Sequence, residues 1–187
     1  YLPYVMPHVP LYATDQFKGK SKGGPYGDTI EELDWNVGRI LDKLKALGLD
    51  KNTYVIYTSD NGPWLNYHKG PEHAGSAEPL RGGKTETWEG GIRVPSIVWG
   101  PGRVPAGTTS SEVTSAMDIL PTLANLAGID LNKIKPATVK GKSGKMVPTT
   151  IDGGDITDII HGKPNAKSPY HEKGYFYLGM IGGVSGV

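Results

Sequence analysis

The stretch that decides the fold opens with TYVIYTSDNG (residues 53–62) and closes with PLRGGKTETWEGGIRVP (residues 79–95). Its first seven residues form an apolar and β-branched run, which predicts a strand buried on both faces of a parallel sheet. VPSIVW (residues 94–99) predicts a second buried strand. Because open α/β sheets place their chemistry in loops at the carboxyl ends of strands, the polar stretch between these strands is the candidate site.

Two possible metal ligands, Asp60 and Asn61, stand at the end of the first predicted strand, directly before the break at Gly62 and Pro63. A carboxylate beside a carboxamide offers two hard oxygens on one short turn, which suits calcium or magnesium. Asp-Asn-Gly is also ordinary turn chemistry, so an Asx turn without a metal is the competing interpretation.

A glycine-rich loop presents Lys84, with one glycine pair at 82–83 and another at 90–91. Both pairs predict tight backbone turns. A lysine on such a loop suits a tetrahedral oxyanion such as sulfate or phosphate, and a solvated surface lysine is the alternative. The segment is not a phosphate-binding P-loop, because the pattern GxxxxGK[ST] is absent.

Helical periodicity is clearest at residues 28–47, where apolar side chains recur at three- and four-residue steps. A capping box at Asp28 or Thr29 predicts its start and Gly48 predicts its end. Residues 115–127 predict a second helix, with Asp118 as its cap. Its expected core face is Ile119, Leu120, Leu123 and Leu126.

The remaining segments predict smaller elements. Residues 1–5 predict a short strand that displays His8 at its carboxyl end, although the local sequence alone favours a solvated loop histidine. Residues 130–148 are lysine-rich and predict an exposed excursion. Residues 155–162 predict a short helix, and the aromatic GYFYLG near the C-terminus predicts a strand or hairpin.

Composition bounds the possible functions. The 187 residues carry 20 basic and 19 acidic side chains, so the net charge of +1 gives no reason to expect a nucleic acid or an anionic membrane as partner. The absence of cysteine excludes disulfides, thiol nucleophiles and thiolate metal sites within the chain. No apolar run reaches the length of a membrane span. The chain begins at Tyr1, and we interpret it as a piece of a longer protein.

Several segments occur in a characteristic order: MPHVPL, ELDWNVGRIL, TSDNG, RGGKTETWEGGIRVP and MDILPTLANLAG. In this order they resemble the sulfatase family of the alkaline-phosphatase-like superfamily, over about residues 1–162. The resemblance implies an α/β fold, part of a sandwich with a central, mostly parallel sheet flanked by helices. It also implies that residues 1–187 are the C-terminal part of a single catalytic domain without its N-terminal part, with 163–187 starting a truncated C-terminal segment.

The resemblance also implies roles for individual residues. Asp60 and Asn61 match a pair of calcium ligands, magnesium being less suited, and Lys84 matches the lysine that contacts the sulfate ester. His8 matches a histidine that assists departure of the leaving group. His73 matches more loosely and would bind substrate in the same pocket. Three further residues within matched motifs are expected to hold the loop: Arg81, Glu89 and Arg93.

The implied reaction is hydrolysis of a sulfate ester by a formylglycine, which the family makes from Cys or Ser in CxPSR or SxPSR. Neither segment occurs here, and the family's first metal pair, Asp-Asp, is also missing. Both are expected upstream, so these 187 residues are expected to be inactive alone. The resemblance further implies a small-molecule or glycan sulfate ester as substrate and an extracytoplasmic location: periplasmic, secreted or lysosomal.

Two alternatives stay open. One is a phosphonate monoester hydrolase or phosphodiesterase of the same superfamily. The other is a non-catalytic homologue that binds an oxyanion or a glycan and keeps Asp60, Asn61 and Lys84 without the nucleophile. The aromatic residues Trp64, Tyr67 and Trp88 could stack on a sugar or aryl ring, or serve as loop anchors.

Overall fold

The computed structural model describes residues 1–65, 74–178 and 184–186. It contains two compact units, Tyr1–Gly100 and Pro101–Val187. Helices and strands occur in both, in agreement with the predicted α/β class. Within the described residues, no helix is both long and apolar enough to cross a bilayer.

In the first unit, a long helix precedes a two-stranded sheet. Helix α1 spans Gly24–Ala46, strand β1 spans Val55–Thr58, the short helix α2 spans Glu89–Ile92 and strand β2 spans Ser96–Trp99. The two strands pair antiparallel, with Val55 opposite Trp99. The expectation that β1 would lie between parallel neighbours is therefore wrong for the strands described here, because the chain after β1 loops back and returns in the opposite direction.

Helix α1 begins four residues earlier than predicted, after Gly23, and no side chain caps it. Pro25 lies in its first turn, where a fixed φ and a missing N–H are no disadvantage. Asp28 is buried and accepts hydrogen bonds from the backbone N–H groups of Gly19, Lys20 and Ser21, at 2.7, 3.1 and 2.8 Å. The predicted capping box is therefore wrong: Asp28 ties down the preceding loop instead.

The end of α1 is as predicted. Gly48 has φ +67° and donates to the Lys45 carbonyl at 2.9 Å, while Leu49 donates to the Leu44 carbonyl at 2.9 Å. This pair of bonds is the Schellman motif, which satisfies carbonyls left unpaired at a helix end. Leu33 is the most buried member of the predicted apolar stripe, and Leu47 is exposed.

Residues 1–5 form no strand, so that prediction is wrong. None of the described strands pairs with them, and a strand without a hydrogen-bonded neighbour is not stable in water. Their larger side chains, Tyr1, Leu2, Tyr4 and Val5, are exposed.

In the second unit, a 3₁₀ turn at Ala116–Asp118 leads into helix α3, Ile119–Leu126. The N-cap residue of this turn is Ser115, and Asp118 completes a capping box by accepting from the Ser115 backbone N–H at 2.7 Å. Asp118 was therefore correctly predicted to take part in capping, but it is not the cap residue of the turn itself. The predicted core face is wrong at two positions, because Leu120 and Leu123 are exposed. Pro121, Thr122 and Ala124 are buried instead. The Thr122 side chain accepts a bond from the Ile156 backbone, so α3 packs its small side chains against that segment.

A buried carboxylate organises this unit. Asp118 is fully buried, and its Oδ1 accepts from the Tyr170 hydroxyl at 2.8 Å and from the Gly154 backbone N–H at 2.9 Å. Burial, followed by the hydrogen bond to Asp118, raises the pKa of Tyr170 above its ordinary value. A Cβ on Gly153 would collide with the Met117 carbonyl, so the two segments touch through their main chains. Asp118 thus joins three segments that are far apart in sequence.

Two short hairpins and one short helix follow in this unit. Strands β3 (Thr138–Lys140) and β4 (Met146–Pro148) form an antiparallel hairpin. The predicted exposure of this region is confirmed, but the hairpin was not predicted. Helix α4, Thr157–Ile160, lies within the predicted short helix. Strands β5 (Phe176–Leu178) and β6 (Val184–Gly186) pair antiparallel, as expected for a C-terminal hairpin.

Candidate functional site

The turn that follows β1 carries the two predicted metal ligands. Asn61 donates through Nδ2 to the Gly62 carbonyl at 2.9 Å, which leaves its Oδ1 turned away from that bond. Ser59 Oγ donates to the Asn61 carbonyl at 3.2 Å. Asp60 is exposed, and among the described residues no hydrogen bond engages its carboxylate. The turn therefore presents two hard oxygens that could ligate a cation.

The glycine-rich loop is docked on this turn through main-chain atoms. The Lys84 N–H donates to the Pro63 carbonyl at 2.8 Å, and the Gly62 N–H donates to the Gly91 carbonyl at 2.9 Å. Pro63 is two residues beyond Asn61, so the structure brings the backbone of Lys84 next to the strand-end turn. Lys84 itself is half-buried.

Internal bonds close the loop on itself. Gly90 donates to the Arg81 carbonyl at 2.8 Å, and Glu86 donates to the Gly83 carbonyl at 3.0 Å. The Glu86 carboxylate in turn accepts from the Gly83 N–H at 2.9 Å. Because main-chain hydrogen bonds pair both ends of the glycine-rich loop, few side chains are needed to hold its conformation.

The two glycine pairs play different parts. Gly82 has φ +79°, which confirms a turn that favours glycine. Gly90 and Gly91 instead lie in a short helix, α2 (Glu89–Ile92), and neither has a positive φ, so the predicted turn there is wrong. Their lack of a side chain permits close approach: a Cβ on Gly91 would collide with the Glu86 and Gly83 carbonyl oxygens.

The outer side of the loop carries the residues predicted to hold it. The Arg81 guanidinium lies over the Trp88 ring, 3.7 Å from its centroid, within the range of a cation–π contact. Arg93 and Glu89 form an ion pair at 3.7 Å between exposed side chains, which adds little stability. Thr85 has φ +78°, a strained conformation for a β-branched residue, immediately beside Lys84.

His8 is exposed on a turn in which its N–H donates to the Val5 carbonyl at 3.1 Å. Its Nδ1 is 2.7 Å from the Val9 carbonyl oxygen. Because a carbonyl only accepts, Nδ1 carries the proton and Nε2 is the nitrogen left for other chemistry. In the described part of the chain, no hydrogen bond joins His8 to Asp60, Asn61 or Lys84. His73 lies outside the described residues.

Tyr26, on α1, reaches the same turn and was missed by sequence reasoning. A Cβ on Gly75 would lie 2.8 Å from the Tyr26 hydroxyl and 2.8 Å from the Pro63 side chain, so these three residues meet. Burial, followed by the nearby Tyr57, raises the pKa of Tyr26. Nothing in the local pattern marks this residue, because it stands in an aperiodic stretch rich in glycine and lysine.

The donor set for a metal is incomplete within the described residues. No group of three or more His, Cys, Asp or Glu side chains in that part of the chain is arranged to hold an ion. Asp60 and Asn61 supply oxygen ligands of the type that calcium takes, but calcium binds six to eight oxygens. The residues present therefore fit part of a calcium site.

The sequence matches the model of the Sulfatase family over residues 1–129. Steryl-sulfatase of Homo sapiens is 41% identical over 164 residues, covering 87% of this chain and 26% of that protein. N-acetylgalactosamine-6-sulfatase of Rattus norvegicus is 43% identical over 147 residues, covering 78% and 27%. The chain thus spans about a quarter of the length of these curated relatives.

Solved structures agree. The PsFucS1 sulfatase from Pseudoalteromonas sp. superposes with a TM-score of 0.76 at 29% identity, covering 96% of this chain and 33% of that one. These neighbours have the alkaline-phosphatase-like fold, so the predicted fold class is confirmed.

Proposed function

Because the chain belongs to the sulfatase family, as its resemblance predicted, we propose that it forms part of the active site of a sulfuric ester hydrolase. The observation that carries the proposal is the docking of the lysine loop on the strand-end turn. Two main-chain bonds, from Lys84 to Pro63 and from Gly62 to Gly91, hold the backbone of Lys84 next to the turn that carries Asp60 and Asn61. Such an arrangement supports recognition of an oxyanion better than a freely solvated lysine would.

The names of the relatives support the substrate class. One is a steryl-sulfatase and another an N-acetylgalactosamine-6-sulfatase, so a sulfate ester is the group that their names share. We assign to this protein a small-molecule or glycan sulfate ester. By family resemblance, the location is extracytoplasmic. The chain as a whole is a piece of one catalytic domain, with residues 163–187 starting its C-terminal segment.

Lys84 and His8 have distinct roles in this proposal. The Lys84 ammonium group neutralises negative charge on the sulfuryl oxygens. His8 protonates the departing oxygen: with Nδ1–H donating to Val9, the imidazolium has its Nε2–H free for that transfer. His73 binds substrate in the same pocket.

Asp60 and Asn61 would hold calcium in preference to magnesium, through the carboxylate and the Oδ1 atom. When bound, the ion supplies positive charge that polarises the sulfuryl oxygens. The attacking group is a formylglycine expected upstream, since the chain has neither cysteine nor an SxPSR segment. We therefore expect these 187 residues alone to be inactive, and turnover of 4-nitrophenyl sulfate by the isolated chain would refute this.

The test uses the full-length protein with 4-nitrophenyl sulfate and 4-nitrophenyl phosphate. Lys84→Ala is expected to lower sulfate turnover by about a hundredfold or more, the scale of losing one oxyanion-stabilising group. Asp60→Ala is expected to abolish the response to added calcium. The matched control is Lys43→Ala, an exposed lysine near the end of α1, which should leave turnover unchanged.

Each alternative has its own result. Preference for the phosphate ester would favour the phosphoesterase alternative. If the wild-type protein binds sulfate but turns over neither ester, loss of that binding in Lys84→Ala would favour the non-catalytic homologue. Equal activity of Lys84→Ala and Lys43→Ala would contradict the assigned role of Lys84.

A further inference from the structure

The β3–β4 hairpin concentrates positive charge that the net charge of the chain conceals. Residues 131–150 contain five lysines and no acidic residue, no arginine and no aromatic residue. The five are Lys133, Lys135, Lys140, Lys142 and Lys145. Nearly all of this segment is exposed. It therefore forms a cationic surface within a chain whose overall charge is only +1.

The hairpin gathers three of these lysines at its tip, residues 140–145. Gly141 donates to the Lys145 carbonyl at 2.8 Å, and Gly144 donates to the Gly141 carbonyl at 2.9 Å, so the tip is a closed turn. Lys142 lies within it. The Lys140 side chain folds over the turn, with its Cε 3.9 Å from the position of a Cβ on Gly144.

No carboxylate neutralises the tip among the residues that the structure describes. Lys133 pairs with Asp130 at 3.3 Å, but Lys140, Lys142 and Lys145 form no ion pair there. Like charges held on one closed turn repel each other, although solvent screens the repulsion. A ligand that carries several negative charges would relieve this repulsion at all three lysines together.

We propose that residues 140–145 bind a sulfated polysaccharide, through side chains other than those assigned to ester cleavage. The tip residues after Lys140 are Gly-Lys-Ser-Gly-Lys, none of which has a large apolar side chain for insertion into a bilayer; the exposed Val139 and Met146 lie on the strands beside it. It offers no aromatic ring for stacking on bases and no arginine fork, features typical of nucleic-acid sites. Flexible ammonium groups alone suit a polymer that carries its charge as many separate sulfates.

The choice of a sulfated polymer rests on the proposed function, because the cationic surface would hold the polymer whose esters the protein cleaves. The hairpin lies in the unit Pro101–Val187, whereas Asp60 and Lys84 lie in Tyr1–Gly100. Binding and cleavage are therefore open to separate mutation, and each has a readout independent of the other.

The experiment measures retention of the full-length protein on immobilised heparin and its affinity for soluble heparin. The test variant is Lys140→Gln/Lys142→Gln/Lys145→Gln. The matched control, Lys18→Gln/Lys22→Gln/Lys51→Gln, removes the same charge from exposed positions in the other unit. We expect roughly tenfold weaker heparin affinity in the test variant, the scale of three exposed ion pairs, and near-wild-type affinity in the control.

Turnover of 4-nitrophenyl sulfate should be unchanged in both variants, and thermal unfolding should show that both are folded. Equal affinity loss in the two triple variants, or none in the test variant, overturns the proposal. So does tighter wild-type binding to duplex DNA, or to vesicles of phosphatidylserine and phosphatidylcholine, than to heparin. If heparin binding depends on the tip but no sulfate ester is cleaved, the proposed function fails and the polyanion surface stands.

Discussion

Lys84 and Pro63 are joined by a main-chain hydrogen bond of 2.8 Å, so the residue assigned to the sulfate group and the strand-end turn hold each other without side chains. Gly62 and Gly91 add a second bond of this kind at 2.9 Å. Such close backbone approach requires that no Cβ intervene. The position of Lys84 therefore depends on glycines, such as Gly62 and Gly91, that have no side chain and no assigned part in the chemistry.

Gly62→Ala tests this dependence. Its Cβ would collide with the Gly90 carbonyl oxygen, so we expect a loss of about 1–3 kcal/mol in the free energy of unfolding, the usual cost of overpacking, together with reduced sulfate ester turnover. Gly38→Ala is the control, because a Cβ there meets nothing within 4 Å and Gly38 lies inside α1. It should stabilise the protein by about 0.5–1 kcal/mol. Urea unfolding measures both, and a wild-type stability for Gly62→Ala would count against the tight docking.

His8→Gln tests proton donation to the leaving group. A nitrophenolate leaves readily without a proton, whereas an alkoxide does not. We expect the variant to lose roughly a hundredfold or more in turnover of an alkyl sulfate and much less with 4-nitrophenyl sulfate. Steady-state kinetics of the full-length protein on both esters gives the comparison. Equal losses on the two esters would show that His8 does not donate this proton.

Asp28 should make the fold sensitive to acid. Three backbone hydrogen bonds, led by that from Ser21, lower its pKa from the ordinary value of 3.8. A lowered pKa contributes stability that is present above the unfolded value and is lost as the pH falls through the folded value. The stability difference between wild type and Asp28→Asn should therefore shrink between about pH 5 and about pH 3.

Urea unfolding at the two pH values measures this difference. Asp34→Asn, an exposed position on the same helix, is the control and should differ from wild type little at either pH. A gap for Asp28→Asn that stays constant with pH would rule out the carboxylate charge as its source.

Tyr170→Phe probes the buried carboxylate of the second unit. It removes the 2.8 Å bond to Asp118 while keeping the ring that meets Tyr175 edge-on at 4.9 Å. We expect a loss of about 1–3 kcal/mol, as for hydrogen bonds to charged groups. Tyr12→Phe, at a 68% exposed position, should be neutral. Thermal unfolding of the two variants measures the difference. Equal stabilities of Tyr170→Phe and Tyr12→Phe would mean that the Ser115 and Gly154 hydrogen bonds are enough to stabilise the buried Asp118 carboxylate.

Local patterns predicted the elements that local chemistry determines. The apolar repeat of α1, its end at Gly48 and a capping role for Asp118 were all predictable, because periodicity, left-handed glycine and capping act within a few residues. The start of α1 was not predicted, because Asp28 accepts hydrogen bonds from backbone groups of the preceding loop, and no local rule connects Asp28 with that loop.

Long-range pairing was the harder part. The antiparallel pairing of β1 with β2 depends on the path of the chain between them. A run of buried apolar residues does not by itself indicate whether its strand pairs parallel or antiparallel. At the site, the roles of Asp60, Asn61 and Lys84 came from resemblance and stay predictions. Tyr26 gave no signal at all, because its contacts with Gly75 and Pro63 arise only after folding.

The docking of the lysine loop by main-chain bonds has a consequence for engineering. Thr87 is exposed, and the bonds that anchor the loop come from backbone groups of Pro63, Arg81 and Gly91. The Thr87 side chain forms no part of those anchors, whereas the Trp88 ring carries the contact with Arg81. Position 87 can therefore be diversified in a library while the backbone of Lys84 keeps its place.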